Sequence, residues 1–213
     1  METKIKLIRG VFLLLVGVFM VLQPVEIGEG ATDTDQVTLQ LSVNQTIAID
    51  CDGLTPVNIG SLTPGTPVYN STTCTTTTNA DAGYDLKVQR DDADTTMDLI
   101  GTPATNITDK TAWDPTAGAG NGNAATWSGT GLAFGVYAST ATKNTTWWGT
   151  GTACDDANNK YAGFPTAYAT IMDHDAYSAS STTTSVCYKV DVPGTQPSGS
   201  YDGTITYQAV SKP

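Results

Sequence analysis

Every acidic residue after Glu29 is an aspartate. Glutamate is at home in helices, whereas aspartate competes with the backbone for hydrogen bonds and is favoured in turns. The same stretch is crowded with threonine, whose branched Cβ restricts χ1 and suits a pleated strand. With 21 glycines and 10 prolines among its 213 residues as well, the chain is biased away from helix and toward short strands joined by turns.

The apolar pattern says where those strands fall. Residues 36–43 read Gln-Val-Thr-Leu-Gln-Leu-Ser-Val, so Val37, Leu39, Leu41 and Val43 alternate strictly with polar residues, the signature of a half-buried strand. Residues 46–51 repeat the alternation with Ile47, Ile49 and Cys51. The Thr/Ser run at 71–78 around Cys74 reads as a polar, edge-like strand, and Tyr84 to Val88 alternates again. Further strands are expected at 132–137, 166–171, 185–192 and 201–210, with a faint helical signal at 157–164. Between about 101 and 160, apart from the 132–137 strand, the pattern dissolves into Gly, Ala, Asn and Thr, which predicts a loop-rich insertion. Eight or nine short strands with such turns predict an all-β fold, a single β-sandwich domain over 31–213.

Lys4, Lys6 and Arg9 precede an apolar run from Val11 to Leu22. That run is too short to cross a bilayer, which takes about 20 residues, and a basic start before a short apolar stretch is the pattern of a secretory signal. Residues 1–30 are therefore expected to be a signal peptide, cut near Gly28, Gly30 and Ala31, and to be the chain's one contact with a membrane. The expected location is extracellular, or at the cell surface. Removing this piece takes away three basic and three acidic residues, so the net charge stays at −11, with only seven Lys and Arg left. Such a chain neutralises few phosphates, which argues against nucleic acid and anionic lipid as partners.

Four cysteines remain, Cys51, Cys74, Cys154 and Cys187. An even number in an exported chain points to two disulfides. Of the three pairings, Cys51–Cys74 and Cys154–Cys187, each local to one half, are favoured. No Cys-x-x-Cys spacing supports a zinc site.

Two stretches carry a resemblance. One runs from Cys51 through Val57-Asn58-Ile59-Gly60-Ser61-Leu62-Thr63-Pro64-Gly65 and Cys74 to Gly83-Tyr84-Asp85-Leu86-Lys87-Val88. The other closes the chain, from Val190-Asp191-Val192 to Gly199-Ser200-Tyr201-Asp202-Gly203-Thr204-Ile205-Thr206-Tyr207. Together they resemble the pilin-like bacterial surface proteins of the spore-coat-U and fimbrial-subunit type. Residues 90–180 lie outside the resemblance, and Ser200 and Lys212 stand where the fimbrial pattern has a glycine and a penultimate aromatic. The resemblance implies an immunoglobulin-like, pilin-like sandwich with a disulfide joining the first two strands, where Cys51 and Cys74 fall. It also implies a domain one strand short, completed by the N-terminal segment of a neighbouring copy. Val37, Leu39, Leu41 and Val43 would form that donor-strand interface. The plainer reading makes 36–43 the domain's own first strand.

Signals for chemistry are sparse. His174, the only histidine, sits in Asp173-His174-Asp175, where a general base or metal ligand and a solvated loop histidine both fit. No Gly-x-Ser-x-Gly elbow or phosphate-loop pattern occurs, so the chain reads as a non-enzyme without a cofactor. Asp91, Asp92 and Asp94, with Asp98, are candidate Ca²⁺ ligands that lack EF-hand spacing; Asp155-Asp156 is a second such pair, and solvated turns are the plainer account of both. Trp113, Trp127, Trp147 and Trp148 lie in or beside the insertion and form the candidate ligand or partner face, since loop aromatics stack on sugars or anchor interfaces. Ordinary core packing is the competing account. Two functions follow as expectations. One is a structural subunit of an extracellular filament or matrix, partnered by copies of itself. The alternative is a secreted glycan-binding or adhesin module using the tryptophan loops.

Overall fold

The structure is a computed structural model that describes residues 35–52, 56–177 and 180–213. The expected signal peptide at 1–30 lies outside the described residues. The chain divides into two compact units, one ending at Ser42 and the other running from Val43 to Pro213. Of the first unit, residues 35–42 are described; all are exposed and none belongs to a strand.

Strands dominate the second unit. In chain order they are β1 (Ile47–Cys51), β2 (Val68–Thr78), β3 (Tyr84–Arg90), β4 (Met97–Leu99), β5 (Thr102–Ile107), β6 (Ala125–Thr126), β7 (Gly131–Ser139), β8 (Lys160–Tyr161), β9 (Ala169–His174), β10 (Thr182–Asp191), β11 (Tyr201–Asp202) and β12 (Ile205–Ser211). Seven of them make the two main sheets, both antiparallel. One has the order β1-β2-β10-β7 and the other β12-β3-β9. The other five strands build two small sheets, β11-β4-β5 and β6-β8. The described helical content is two single turns, Thr145–Trp148 and Ala117–Gly120, the latter with left-handed backbone at Gly118 and Ala119. The faint helical signal at 157–164 is overturned: Lys160 and Tyr161 form β8, bound to β6.

Alternation explains the layering. Leu132, Phe134 and Val136 of β7 and Val186, Tyr188 and Val190 of β10 point inward from one sheet. Tyr84, Leu86 and Val88 of β3 and Ile171 and Met172 of β9 face them from the other, and all share one buried core. Six of the seven strands follow the order of an immunoglobulin-like sandwich, and β9, which pairs with β3 but comes after β7 in the chain, has no place in it. In such a sandwich, strands A, B, E and D form one sheet and C, F and G the other. By chain order β1, β2, β7 and β10 take positions A, B, D and E, while β3 and β12 take C and F. No described strand takes position G, beside the outer edge of β12.

The Thr-rich strand β2 departs from its expected edge position. It lies in the sheet interior between β1 and β10, with Thr72, Cys74 and Thr76 buried. Threonine reads as polar in a pattern count, yet its methyl packs on a sheet and its hydroxyl needs only a local acceptor. Thr72 Oγ1 finds one in Asp52 Oδ2, 2.9 Å away. The turn from β2 to β3 depends on Gly83, which has φ +81°; a Cβ there would stand 2.0 Å from the His174 carbonyl oxygen.

Two disulfides close the structure, Cys51–Cys74 and Cys154–Cys187. The first joins register partners on β1 and β2. Such bonds persist in an oxidising environment, and that is the setting in which this fold exists. The second ties the insertion to β10 by closing a loop with a sequence separation of 33. Replacing Cys154 and Cys187 together with alanine should lower stability by roughly 2–4 kcal/mol, measured by urea unfolding with and without a reductant.

Candidate functional site

A sandwich made of two open sheets has four outer edges, and exposed edges invite pairing with other chains. The insertion covers two of them here. Along β7, Lys110 N donates to Leu132 O (2.8 Å), Leu132 N to Thr108 O (2.9 Å), Phe134 N to Ala162 O (2.8 Å) and Ala162 N to Phe134 O (2.9 Å). Along β9, the indoles of Trp113 and Trp148 donate to the carbonyls of Thr170 and Ile171, each at 2.8 Å.

The other two edges meet each other. At one end of the seam between β1 and β12, Gln45 Nε2 donates to Lys212 O (2.9 Å) and Ser211 Oγ to Gln45 Oε1 (3.3 Å). No described strand pairs with the outer edge of either β1 or β12. The inward side chains of both strands, Ile47, Ile49 and Cys51 on one and Ile205, Tyr207 and Ala209 on the other, touch the core but remain only half-buried. Those of the central strands β3 and β10 are fully buried. Beneath the seam the Tyr188 and Tyr207 hydroxyls bond each other at 2.8 Å, joining the two sheets; burial pushes both phenols above their ordinary range.

Among the described residues, the segment 36–43, expected to be a strand, belongs to none. Val37, Leu39, Leu41 and Val43 are 80, 92, 90 and 76 % exposed, and residues 36–43 take part in no described ladder. Periodicity identified a strand-forming sequence, but strands are made by pairing, and this one has no described partner.

The tryptophan face is corrected in part. Trp113 and Trp148 are buried in the core, with ring centres 4.4 Å apart and Trp148 packed 5.2 Å from Phe134. Each indole N–H has a backbone acceptor, which is what allows so large a polar-tipped ring to be enclosed. Neither ring is available to a ligand. Trp147 is half-buried against Trp113, its Nε1 donating to Gly120 O at 2.9 Å. Only Trp127 lines a described cleft, one of about 110 Å³ whose walls include Lys110, Thr111, Thr126 and Tyr161.

The remaining candidates are placed as follows. His174 ends β9 with its ring 5.4 Å from Tyr84 and its Nε2 buried without a hydrogen-bond partner. Its neighbours Asp173 and Asp175 turn to the Lys212 ammonium, which Asp85 also approaches at 3.5 Å. Burial alone would lower the Lys212 pKa, but its bonds to Asp173 and Asp175 hold it above the usual lysine value. Among the described residues no hydrogen bond joins the histidine to the acids beside it. Asp91, Asp92 and Asp94 form a turn in which Asp92 Oδ1 accepts from Asp94 N at 2.9 Å, while Asp98 accepts from Thr95 Oγ1 at 3.0 Å. Asp156 likewise binds the backbone N–H groups of Thr152 and Asn158, which holds its pKa below the usual carboxylate range. Among the described residues no three His, Cys, Asp or Glu side chains are grouped as metal ligands. Sequence reasoning missed Lys110 and Lys189, whose ammonium groups stand 4.9 and 5.3 Å from the Trp127 ring centre. They lie 79 residues apart in sequence, so no local signal joins them.

No protein-family model matches the chain, and no curated protein matches it.

Proposed function

We propose that this chain is a non-enzymatic structural subunit of an extracellular, pilin-like filament or matrix, assembled by strand exchange between copies. Residues 36–43 of one copy add to the β1–β12 seam of the next, and Val37, Leu39, Leu41 and Val43 enter the space between the half-buried side chains of the two strands. The observation that carries this reading is the matched pair of deficits. One chain holds a four-residue apolar stripe with no described strand partner and a sandwich whose open edges adjoin where strand G would lie. The coverage of β7 and β9 supports it further, because of the four outer edges of the two main sheets only those at the seam have no described cover. Strand addition satisfies backbone groups through the new ladder and sets register through alternate side chains.

The test is electron microscopy of the purified exported protein, with sedimentation across a range of concentrations. Linear polymers are expected. Monomers at every concentration, with amide exchange showing 36–43 protected within one chain, would overturn the reading.

A further inference from the structure

The Trp127 cleft has a charge character at odds with the molecule around it. The chain carries 21 acidic and 10 basic residues. Among the described cations, Arg90 and Lys212 are held in ion pairs, and Lys143 and Lys160 donate to backbone carbonyls. Lys110, on the cleft wall, and Lys189, outside it, each approach the Trp127 indole, and Lys189 also stands 5.3 Å from Tyr161, a second wall residue. Neither forms an ion pair among the described residues. Lys110 Nζ donates to Ser128 O; no described acceptor takes a proton from Lys189 Nζ.

The carboxylates nearest in effect are already engaged. Asp191, which acts on Lys110, accepts from Gly65 N and Val192 N, each at 2.8 Å. Asp155, which acts on Lys189, accepts from the Tyr69 hydroxyl at 3.3 Å. Burial lowers the pKa of both lysines against these attractions. Partly desolvated ammonium groups with protons to spare gain charge-assisted hydrogen bonds when an anion joins them.

The platform is also built rigidly. Tyr161 is buried, its hydroxyl donating to Cys154 O at 2.8 Å, and Cys154 is bonded to Cys187 on β10. A Cβ at Gly135 would lie 2.4 Å from Lys160 O, so the strand bearing Tyr161 packs directly on β7. Trp127 meets Tyr161 edge to face at 5.8 Å. The cleft, about 110 Å³ in volume, is too small to enclose a chain and can cover only one side of a sugar ring, and the exposed Thr111 and Thr126 on its wall present hydroxyls of the kind that pair with sugar hydroxyls.

We infer that this cleft binds a single anionic sugar residue, its acid group met by Lys110 and Lys189 and its hydroxyls by Thr111 and Thr126. This goes beyond the filament reading and does not depend on it, because the cleft shares no residue with the seam. The acid is a carboxylate in a uronic acid or a sulfate in a sulfated sugar.

Titration calorimetry of the purified protein tests it with four probes: trigalacturonate, a sulfated galactose disaccharide, neutral galactotriose, and sodium acetate with sodium sulfate. One or both acidic sugars should bind at least tenfold more tightly than the neutral trisaccharide and the simple salts, and the preferred one identifies the acid. Lys189→Gln should weaken that binding at least tenfold, and Lys110→Gln supplies the same test should the first variant melt early. Lys87→Gln, which removes the same charge from β3 in the other sheet, should change it less than twofold. Equal binding of neutral and acidic sugars, equal binding of the free salts, or an equal loss in Lys87→Gln would each overturn the assignment.

Discussion

A chain lacking residues 36–43 should fold, export and stay monomeric under conditions in which the intact chain polymerises. The deletion leaves every described strand and both disulfides intact, so its unfolding midpoint in urea should match that of the full-length monomer. Leu39→Asp makes the sharper variant. Leu39 is 92 % exposed, and the substitution should be silent in the monomer. In the seam it would place an unpaired carboxylate among Ile47, Ile49 and Ile205. Burying an unpaired charge costs several kcal/mol, and 3 kcal/mol already corresponds to more than a hundredfold in an association constant. Electron microscopy should show no polymers, while added synthetic 36–43 peptide should still bind the variant's intact seam and raise its unfolding midpoint. A Leu39→Asp protein that polymerises like its parent would remove the segment from the assembly mechanism.

Trp148→Ala should have the largest effect on the fold itself. The ring is enclosed by Trp113 and Phe134, and its Nε1 donates to Ile171 O. Truncation leaves a large cavity and an unfilled carbonyl at the edge of β9, at a cost of about 3–5 kcal/mol. A domain of this size has roughly 5–15 kcal/mol of stability in all, so the variant should lose much of its urea resistance. Trp127→Ala, at the half-exposed cleft, should lose far less. The contrast between the two, measured on the same denaturant scale, separates the tryptophans that build the fold from the one that faces outward.

Local signals carried most of the strand list. Alternation located β1 and β3 closely, because each has one face on the core and one turned outward; β7 and β10 were also found, whereas the strand expected at 201–210 is divided between β11 and β12, in different sheets. What alternation cannot report is pairing, which joins residues far apart in sequence. Hence β2 looked like an edge but is flanked on both sides, and the 36–43 segment looked like a partnered strand but has no described partner. The insertion misled for a related reason. Its irregular stretches are short on apolar residues, yet they form β5, β6 and β8 and position Trp113 and Trp148 over β9. Isolated tryptophans in polar surroundings leave no periodic trace, and only the packed structure shows that they close an edge. The cysteine pairs were within reach of a locality argument, whereas the Lys110–Lys189 convergence on Trp127 was not.

The position of the first disulfide bears on how the domain would carry tension. A pull on the N-terminal segment enters β1 at Ile47, opposite Thr78, and the natural mode of failure is peeling, one rung at a time toward Cys51. Peeling is mechanically weak, because each rung bears the load alone. The Cys51–Cys74 bond sits at the last rung, where it arrests the tear after five residues and hands the force covalently to β2, inside the sheet. From there the load spreads across the β2–β10 ladder in shear, where many hydrogen bonds must yield at once. Under reducing conditions the same domain would tear open at a much smaller force, a difference that single-molecule pulling would read directly.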